Sequence, residues 1–179
     1  MANIGRTVRH VTVRKRPGNP CQGLLAIGGR VFACALGRGG IRAVKREGDG
    51  ATPRAAMRVL SGLWRKDKGR RPSTALPLDP IGADDGWCDA PGDANYNRPV
   101  ALPYKASHER MLRDDRLYDC VVVLDWNFTR RRRGAGSAIF LHVAKPGLQP
   151  TEGCIAVEPQ VMRAILPLIS ARTVIEVLG

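Results

Sequence analysis

The segment from Ser137 to Val157 reads SAIFLHVAKPGLQPTEGCIAV. Its first part, Ser137–Val143, is a short apolar run that predicts a buried strand, with His142 close to its end. A turn containing proline and glycine follows, and the next apolar run begins at Cys154, directly after Gly153. The segment therefore places a histidine near the end of one buried stretch and a cysteine at the start of the next.

This histidine and cysteine are the residue types of a base and a nucleophile. A free thiol has a pKa of about 8.5 and is mostly protonated at neutral pH, so a neighbouring imidazole is needed to take its proton. Gly153 would let a reacting carbonyl approach the backbone, and N–H groups around Gly153 and Cys154 would stabilise an oxyanion. A second interpretation stays open, because a buried cysteine and a hydrogen-bonded core histidine are the commoner outcome.

Strand patterns extend outward from this segment in both directions. A glycine pair, Gly28-Gly29, joins two apolar runs and predicts a hairpin, because glycine readily adopts the positive φ of tight turns. The alternating and apolar runs predict strands at Thr7–Val13, Leu24–Ile27, Val31–Leu36, Leu117–Trp126 and Thr173–Leu178.

Helical spacing and long loops complete the pattern. Apolar residues fall on one helical face over residues 54–66, Ser107 begins a short capped helix, and Glu158–Ile169 is amphipathic with a proline in its first turn. Gly37–Pro53 is a glycine-rich loop that lacks the ending of a phosphate-binding loop. Arg70–Pro103 predicts a long binding loop or lid.

Composition bounds the class of protein. The chain has 179 residues, 44% of them hydrophobic, which suits one domain over residues 1–179. It carries 29 basic and 16 acidic residues, a net charge of +13 that favours nucleic acid, anionic lipid or a carboxylate-rich wall polymer. Aromatic residues make up only 5% and do not alternate with basic ones, so we expect no nucleic-acid partner.

The cysteines and histidines indicate neither a disulfide framework nor a metal site. Five cysteines, an odd number, occur at 21, 34, 88, 120 and 154 without a closely spaced pair. The three histidines, at 10, 108 and 142, lack the spacing of zinc sites. We therefore expect no metal and no cofactor, and most of the cysteines should be small buried apolar residues.

The sequence contains no candidate membrane span. The longest apolar runs, Cys120–Leu124 and Ala138–Leu141, have the length of strands. Met1–Arg16 alternates apolar and basic residues without a continuous apolar centre, so no secretory signal is visible there.

The motif Thr151-Glu152-Gly153-Cys154, preceded by a strand histidine, resembles the catalytic signature of L,D-transpeptidases with a YkuD-type domain. In that signature Ser or Thr, any residue, Gly and Cys follow the histidine. The resemblance runs from about Ala35 to Val157 and covers most of the chain. Segments similar to the compact proteobacterial branch of the family are Ala35–Ile41, Lys45–Pro53, Asp85–Cys88, Tyr96–Arg98, Tyr118–Asp119 and Gly136–His142.

The resemblance implies a mainly β fold, a YkuD-like sandwich or flattened barrel with a few short helices. In that fold the segment after Thr-Pro is extended, so the resemblance favours a strand over the helix that spacing predicts for residues 54–66. It also implies that Arg70–Pro103 covers or flanks the active cleft.

The resemblance further assigns roles to residues. It makes Cys154 the nucleophile, His142 the base, oriented by a backbone carbonyl, and Gly153 part of the catalytic turn. One departure is Ala156, where many members carry an arginine associated with the substrate carboxylate, so we expect another cation to replace it. The expected substrate-binding residues are Trp87, Arg98, Tyr118, Ser137, Lys145 and Thr151, with Arg98 and Lys145 as the candidate cations.

The activity implied is cross-linking of diaminopimelate-containing peptidoglycan stem peptides through a cysteine thioester, from the third or the first residue of the donor stem. Carbapenems are the expected covalent inhibitors, and the periplasm or cell envelope is the expected location. Two alternatives stay open. One is an L,D-carboxypeptidase or hydrolase of wall-linked peptides, and the other is a non-enzymatic basic module that binds an anionic polymer.

Overall fold

A computed structural model describes residues 7–179 of the chain. This part forms fourteen strands, one α-helix and three short 3-10 helices. The strands are β1 (His10–Arg16), β2 (Asn19–Ile27), β3 (Arg30–Ala35), β4 (Ile41–Arg42), β5 (Thr52–Pro53), β6 (Ala56–Trp64), β7 (Leu78–Pro80), β8 (Asp85–Cys88), β9 (Arg98–Ala101), β10 (His108–Arg110), β11 (Cys120–Leu124), β12 (Phe140–Val143), β13 (Ile155–Val157) and β14 (Val174–Leu178), and the helix is α1 (Pro159–Ile165).

The largest sheet closes on itself. Nine strands follow the order β11-β12-β13-β3-β2-β1-β14-β6-β7, and β11 also pairs with β6. The second pairing joins the ends of an eight-stranded run into a barrel, while β7 extends beside β6. Closure leaves few unpaired strand edges, which is how small β proteins satisfy their backbone hydrogen bonds.

The barrel interior is the main apolar core. Side chains alternate along a strand, so every second residue points inward. Leu141 and Val143 from β12 and Ile155 and Val157 from β13 belong to this interior cluster. The helix α1 adds its own apolar face to the same core.

A second layer covers the outer face of β11 and β12. The strands β10, β8 and β9 form a small separate sheet, whose Trp87 meets the ring of Phe140 edge-on at a centroid distance of 5.0 Å. Tyr118 also approaches Phe140 edge-on, at 6.0 Å. Val121 and Val123 complete this outer cluster. The space between barrel and small sheet is therefore a second core.

Most strand predictions and the fold class are confirmed. The chain is mainly β with few short helices, and the glycine pair forms the turn of the β2–β3 hairpin, with φ of 56° at Gly28 and 77° at Gly29. The amphipathic C-terminal segment begins as α1 at Pro159 and continues as a 3-10 turn over Leu166–Leu168. No helix in residues 7–179 is long and apolar enough to cross a membrane.

The helix predicted by spacing over residues 54–66 is wrong, and the strand implied by the resemblance is correct. β6 occupies this segment; it alternates exposed and buried residues from Ala56 to Val59 and is partly or fully buried from Leu60 to Trp64. Met57 and Val59 contact the barrel core, whereas Leu60 and Leu63 pack against the outer cluster. Apolar residues that pack on opposite faces of the strand fall by chance at helical spacing, which misled the prediction.

The predictions for the middle of the chain also need correction. The helix predicted from Ser107 is wrong, because β10 pairs with β8 at His108↔Cys88 and Glu109↔Trp87. The segment Arg70–Pro103 is not a structureless loop, since it contains β7, β8 and β9. Pairing between distant segments, which local patterns do not reveal, decided both cases.

Leu141 provides a test of the barrel core. Its side chain is fully buried, so we expect Leu141→Ala to lower the free energy of unfolding by about 2–5 kcal/mol, measured by urea denaturation. Leu24, 37% exposed on β2, is the matched control, and Leu24→Ala should change stability by less than about 0.5 kcal/mol. Equal losses in the two variants would contradict this assignment of the core.

Candidate active site

His142 and the residue before β13, Cys154, come together on the outer face of the barrel. β12 and β13 are parallel neighbours, with Leu141 opposite Ile155 and His142 opposite Ala156. Since Leu141 and Ile155 point into the barrel, the alternation turns His142 and Cys154 outward. Both side chains line one cavity of about 160 Å³ between the barrel and the outer layer.

The imidazole of His142 is held in one orientation. Its Nδ1 lies 2.8 Å from the carbonyl oxygen of Val143, and because a carbonyl only accepts, Nδ1 must carry the proton. Nε2 is then the unprotonated nitrogen of the ring. Burial is the main cause that lowers the pKa of His142 to about 4, so the ring is neutral at physiological pH.

The thiol of Cys154 is protonated at rest. It donates to the carbonyl oxygen of Ala138 at 3.1 Å and accepts from the backbone N–H of Phe140 at 3.4 Å. Burial raises the pKa of this thiol to about 12, and the carboxylate of Glu109 adds to the increase. The resting pair is therefore a neutral thiol and a neutral imidazole.

The turn before Cys154 is a compact unit that requires glycine. Gly153 has φ of 133°, and a Cβ at this position would lie 2.8 Å from the carbonyl oxygen of Ala51. The hydroxyl of Thr151 donates to the carbonyl of Cys154 at 2.6 Å and accepts from the N–H of Gly153 at 3.1 Å. Thr151 thus fixes the backbone that carries the cysteine.

The cavity collects some of the residues that the sequence singled out. Tyr118, Thr151 and Lys145 line it together with His142 and Cys154. The ring of Tyr118 meets the imidazole of His142 edge-on at a centroid distance of 5.4 Å, which restricts the ring on that side. Burial raises the pKa of Tyr118 well above its usual value, so its hydroxyl is a donor at neutral pH.

Three other candidates lie away from the cavity lining. Trp87 is buried against Phe140 and donates from its indole nitrogen to Asn97 at 3.0 Å. The hydroxyl of Ser137 donates to Glu47 at 2.8 Å. The structure therefore gives Trp87 and Ser137 packing and hydrogen-bonding contacts behind the site.

Arg98 is the third of these candidates. Its guanidinium donates to the carbonyl oxygens of Asn97 and Phe128 and lies 4.0 Å from the centre of the Phe128 ring. The guanidinium is thus engaged with the chain itself, whereas Lys145 is exposed and lines the cavity.

Sequence reasoning missed two charged residues of the cavity, Glu109 and Arg113. The hydroxyl of Tyr118 donates to Glu109 at 2.5 Å. Arg113 lies 5.1 Å from the centre of the Tyr118 ring and forms an ion pair with Asp115. Both residues lie in the segment from Ser107 to Arg113, which the incorrect prediction had treated as a short capped helix.

The other four cysteines are free thiols. Cys34, Cys88 and Cys120 are buried and free, and Cys21 is half-buried and free. Over residues 7–179 no group of three or more His, Cys, Asp or Glu side chains is arranged to hold a metal ion.

One family model matches most of the chain. The model of the YkuD family, the L,D-transpeptidase catalytic domain, matches residues 22–177. The chain belongs to this family. A search of curated proteins found no match.

One solved structure similar to this L,D-transpeptidase domain is described as "Structure of the Ldtfm-avibactam carbamoyl enzyme". The two share 13% sequence identity with a TM-score of 0.41. The alignment covers 95% of this chain and 48% of that chain, so this domain spans about half the length of the solved protein.

The resting protonation state of the thiol can be tested by alkylation. Because burial raises the pKa of Cys154 to about 12, its thiolate fraction, and with it the iodoacetamide rate, should rise about tenfold per pH unit up to about pH 9. Site-resolved mass spectrometry measures the slope, which steric access does not alter. A reference cysteine peptide should level off near its own pKa, and a plateau for Cys154 at pH 6–7 would instead reveal a thiolate–imidazolium pair.

Proposed function

We propose that this domain transfers acyl groups between peptidoglycan stem peptides, with Cys154 as nucleophile and His142 as base. The observation that carries the proposal is their placement in one cavity, with His142 in β12 and Cys154 directly before the parallel neighbour β13, and with Nδ1 of His142 bonded to a backbone carbonyl. A histidine oriented in this way presents Nε2 as a proton acceptor, which is what activation of a thiol requires.

In the acylation step, Nε2 of His142 takes the thiol proton as the sulfur attacks an amide carbonyl at an L-configured centre. The raised pKa of Cys154 and the lowered pKa of His142 disfavour a thiolate–imidazolium pair. We therefore propose that the proton moves as the carbon–sulfur bond forms. The imidazolium then protonates the departing amine of the D-residue, and a thioester remains.

The oxyanion of this step needs backbone donors. The N–H of Gly153 is already bound to Thr151, so we assign the oxyanion to the N–H of Cys154. Gly153 contributes by permitting the tight turn that brings this N–H beside the sulfur. The acyl group next passes to an amine of a second stem, or to water if no amine is bound.

Lys145 is our proposal for the cation that replaces the family's arginine. Ala156, at the position of that arginine, is fully buried in a small apolar cluster with Ala35 and Leu148 and supplies no charge. Lys145 lines the cavity, whereas Arg98 is bound elsewhere. A carboxylate of the substrate would therefore be met by Lys145.

The proposed substrates are stem peptides that contain diaminopimelate, with carbapenems as covalent inhibitors and the cell envelope as the site of action. The net charge of +13 supports this substrate class, because it attracts carboxylate-rich polymers at low salt. Transfer from the third and from the first residue of the donor stem are both compatible with this cavity.

The experiment that tests the function uses purified protein and defined stem tetrapeptides. We expect an intact-mass adduct on Cys154 and cross-linked dimers in the product mixture, with neither in Cys154→Ala. Loss of the terminal residue without dimers would identify a hydrolase. The absence of any adduct, with a stem peptide or with a carbapenem, would leave only the basic binding module.

Lys145 can be tested by substitution. We expect Lys145→Ala to raise KM for a stem peptide by about tenfold, with a smaller effect on kcat, because it removes a charge-assisted hydrogen bond. Lys105, an exposed lysine outside the cavity, supplies the control for net charge. If Lys105→Ala raises KM equally, general electrostatic attraction rather than a specific contact is responsible.

A further inference from the structure

Glu109 lines the cavity but takes no part in the proposed acylation step. It lies in β10, on the small outer sheet, and lines the cavity together with Cys154 and Tyr118. One carboxylate oxygen, Oε2, accepts the hydroxyl of Tyr118. The other, Oε1, has no hydrogen-bond partner among residues 7–179 and is not sealed from solvent. Oε2 is therefore bound to Tyr118, and Oε1 is available to a ligand.

The negative charge of Glu109 disfavours ionisation of the Cys154 thiol. Glu109 raises the pKa of Cys154, so its charge makes the nucleophile harder to ionise. Its own pKa is raised, chiefly by burial. Arg113 does not neutralise it through an ion pair, because the guanidinium is bound to Asp115. The cost to the thiol is offset if a cation of the substrate binds to Glu109.

We propose that Glu109 receives the ammonium group of the acyl acceptor and so directs the thioester to an amine rather than to water. The inference rests on the proposed function. The cavity, about 160 Å³, is close in size to cavities that admit a benzene ring, so it suits the amino end of a side chain rather than a whole peptide. Tyr118 would hold the carboxylate in place while Oε1 accepts from the ammonium.

The proton balance of the transfer step follows from this placement. The acceptor enters as an ammonium ion and gives one proton to Glu109, which frees the nitrogen lone pair for attack on the thioester carbon. Nε2 of His142 takes the second proton as the carbon–nitrogen bond forms. The carbon–sulfur bond breaks, the sulfur recovers a proton from the imidazolium, and Glu109 releases its proton to solvent.

The test is the partition of one acyl-enzyme between two acceptors. Wild-type protein and Glu109→Gln are incubated with the same stem tetrapeptide at a fixed concentration, and mass spectrometry measures the ratio of cross-linked dimer to hydrolysed product. Glutamine keeps the shape and still accepts from Tyr118 but has no charge. We expect the ratio to fall by about tenfold or more in Glu109→Gln, and Glu109→Asp to recover part of it.

Glu152 supplies a matched control. It lines the same cavity, but its carboxylate is exposed and already bound to Arg38 at 2.8 Å, so Glu152→Gln should keep the wild-type ratio. An unchanged ratio in Glu109→Gln, or an equal fall in Glu152→Gln, overturns the inference. Near-UV circular dichroism checks that each variant is folded. If Glu109→Gln is not, the ratio in Glu109→Asp decides, because the shorter side chain reaches the ammonium less well: a ratio below the wild-type value supports the inference, and the wild-type ratio overturns it.

The inference and the proposed function fail in different ways. A wild-type protein that forms the thioester but yields only the hydrolysed product overturns the role of Glu109 and leaves the chemistry of Cys154 intact. A wild-type protein that forms no thioester overturns the proposed function, and the inference falls with it.

Discussion

The parallel pairing of β12 with β13 is the constraint on which the site depends. Its register places Leu141 opposite Ile155 and His142 opposite Ala156. Two apolar side chains from each strand are buried in the barrel, which makes the register costly to change. A shift of one residue would turn His142 inward and separate it from the thiol. Packing inside the barrel therefore fixes the positions of His142 and Cys154 on its outer face.

The burial that brings Cys154 and His142 together also keeps both side chains uncharged. Burial disfavours both the thiolate and the imidazolium, and the hydrogen bond from the thiol to Ala138 stabilises the neutral form. A free thiolate at Cys154 is therefore disfavoured unless a bound molecule supplies compensating interactions. Lys145 and Glu109, at the wall of the same cavity, carry opposite charges that suit a substrate with both an acid and an amine.

Tertiary contacts explain where local patterns misled. Met57 and Val59 of β6 pack in the barrel core and Leu60 and Leu63 against the outer cluster, so apolar residues from opposite faces mimic a helical stripe. Glu109 was overlooked because its strand exists only through pairing with β8. Arg98 and Lys145 were equivalent as cations in loops. The structure separates them, because the guanidinium of Arg98 is bound to Phe128 and Lys145 faces the cavity.

The sequence by itself determined the family, through the Thr-x-Gly-Cys motif with its upstream histidine, and the mainly β class that accompanies it. It also determined the hairpin, because Gly28 and Gly29 allow the positive φ of its turn. Only the tertiary structure decided which side chains share the cavity. Those neighbours come from segments far apart in the chain, and no local pattern of residues encodes the distance between such segments.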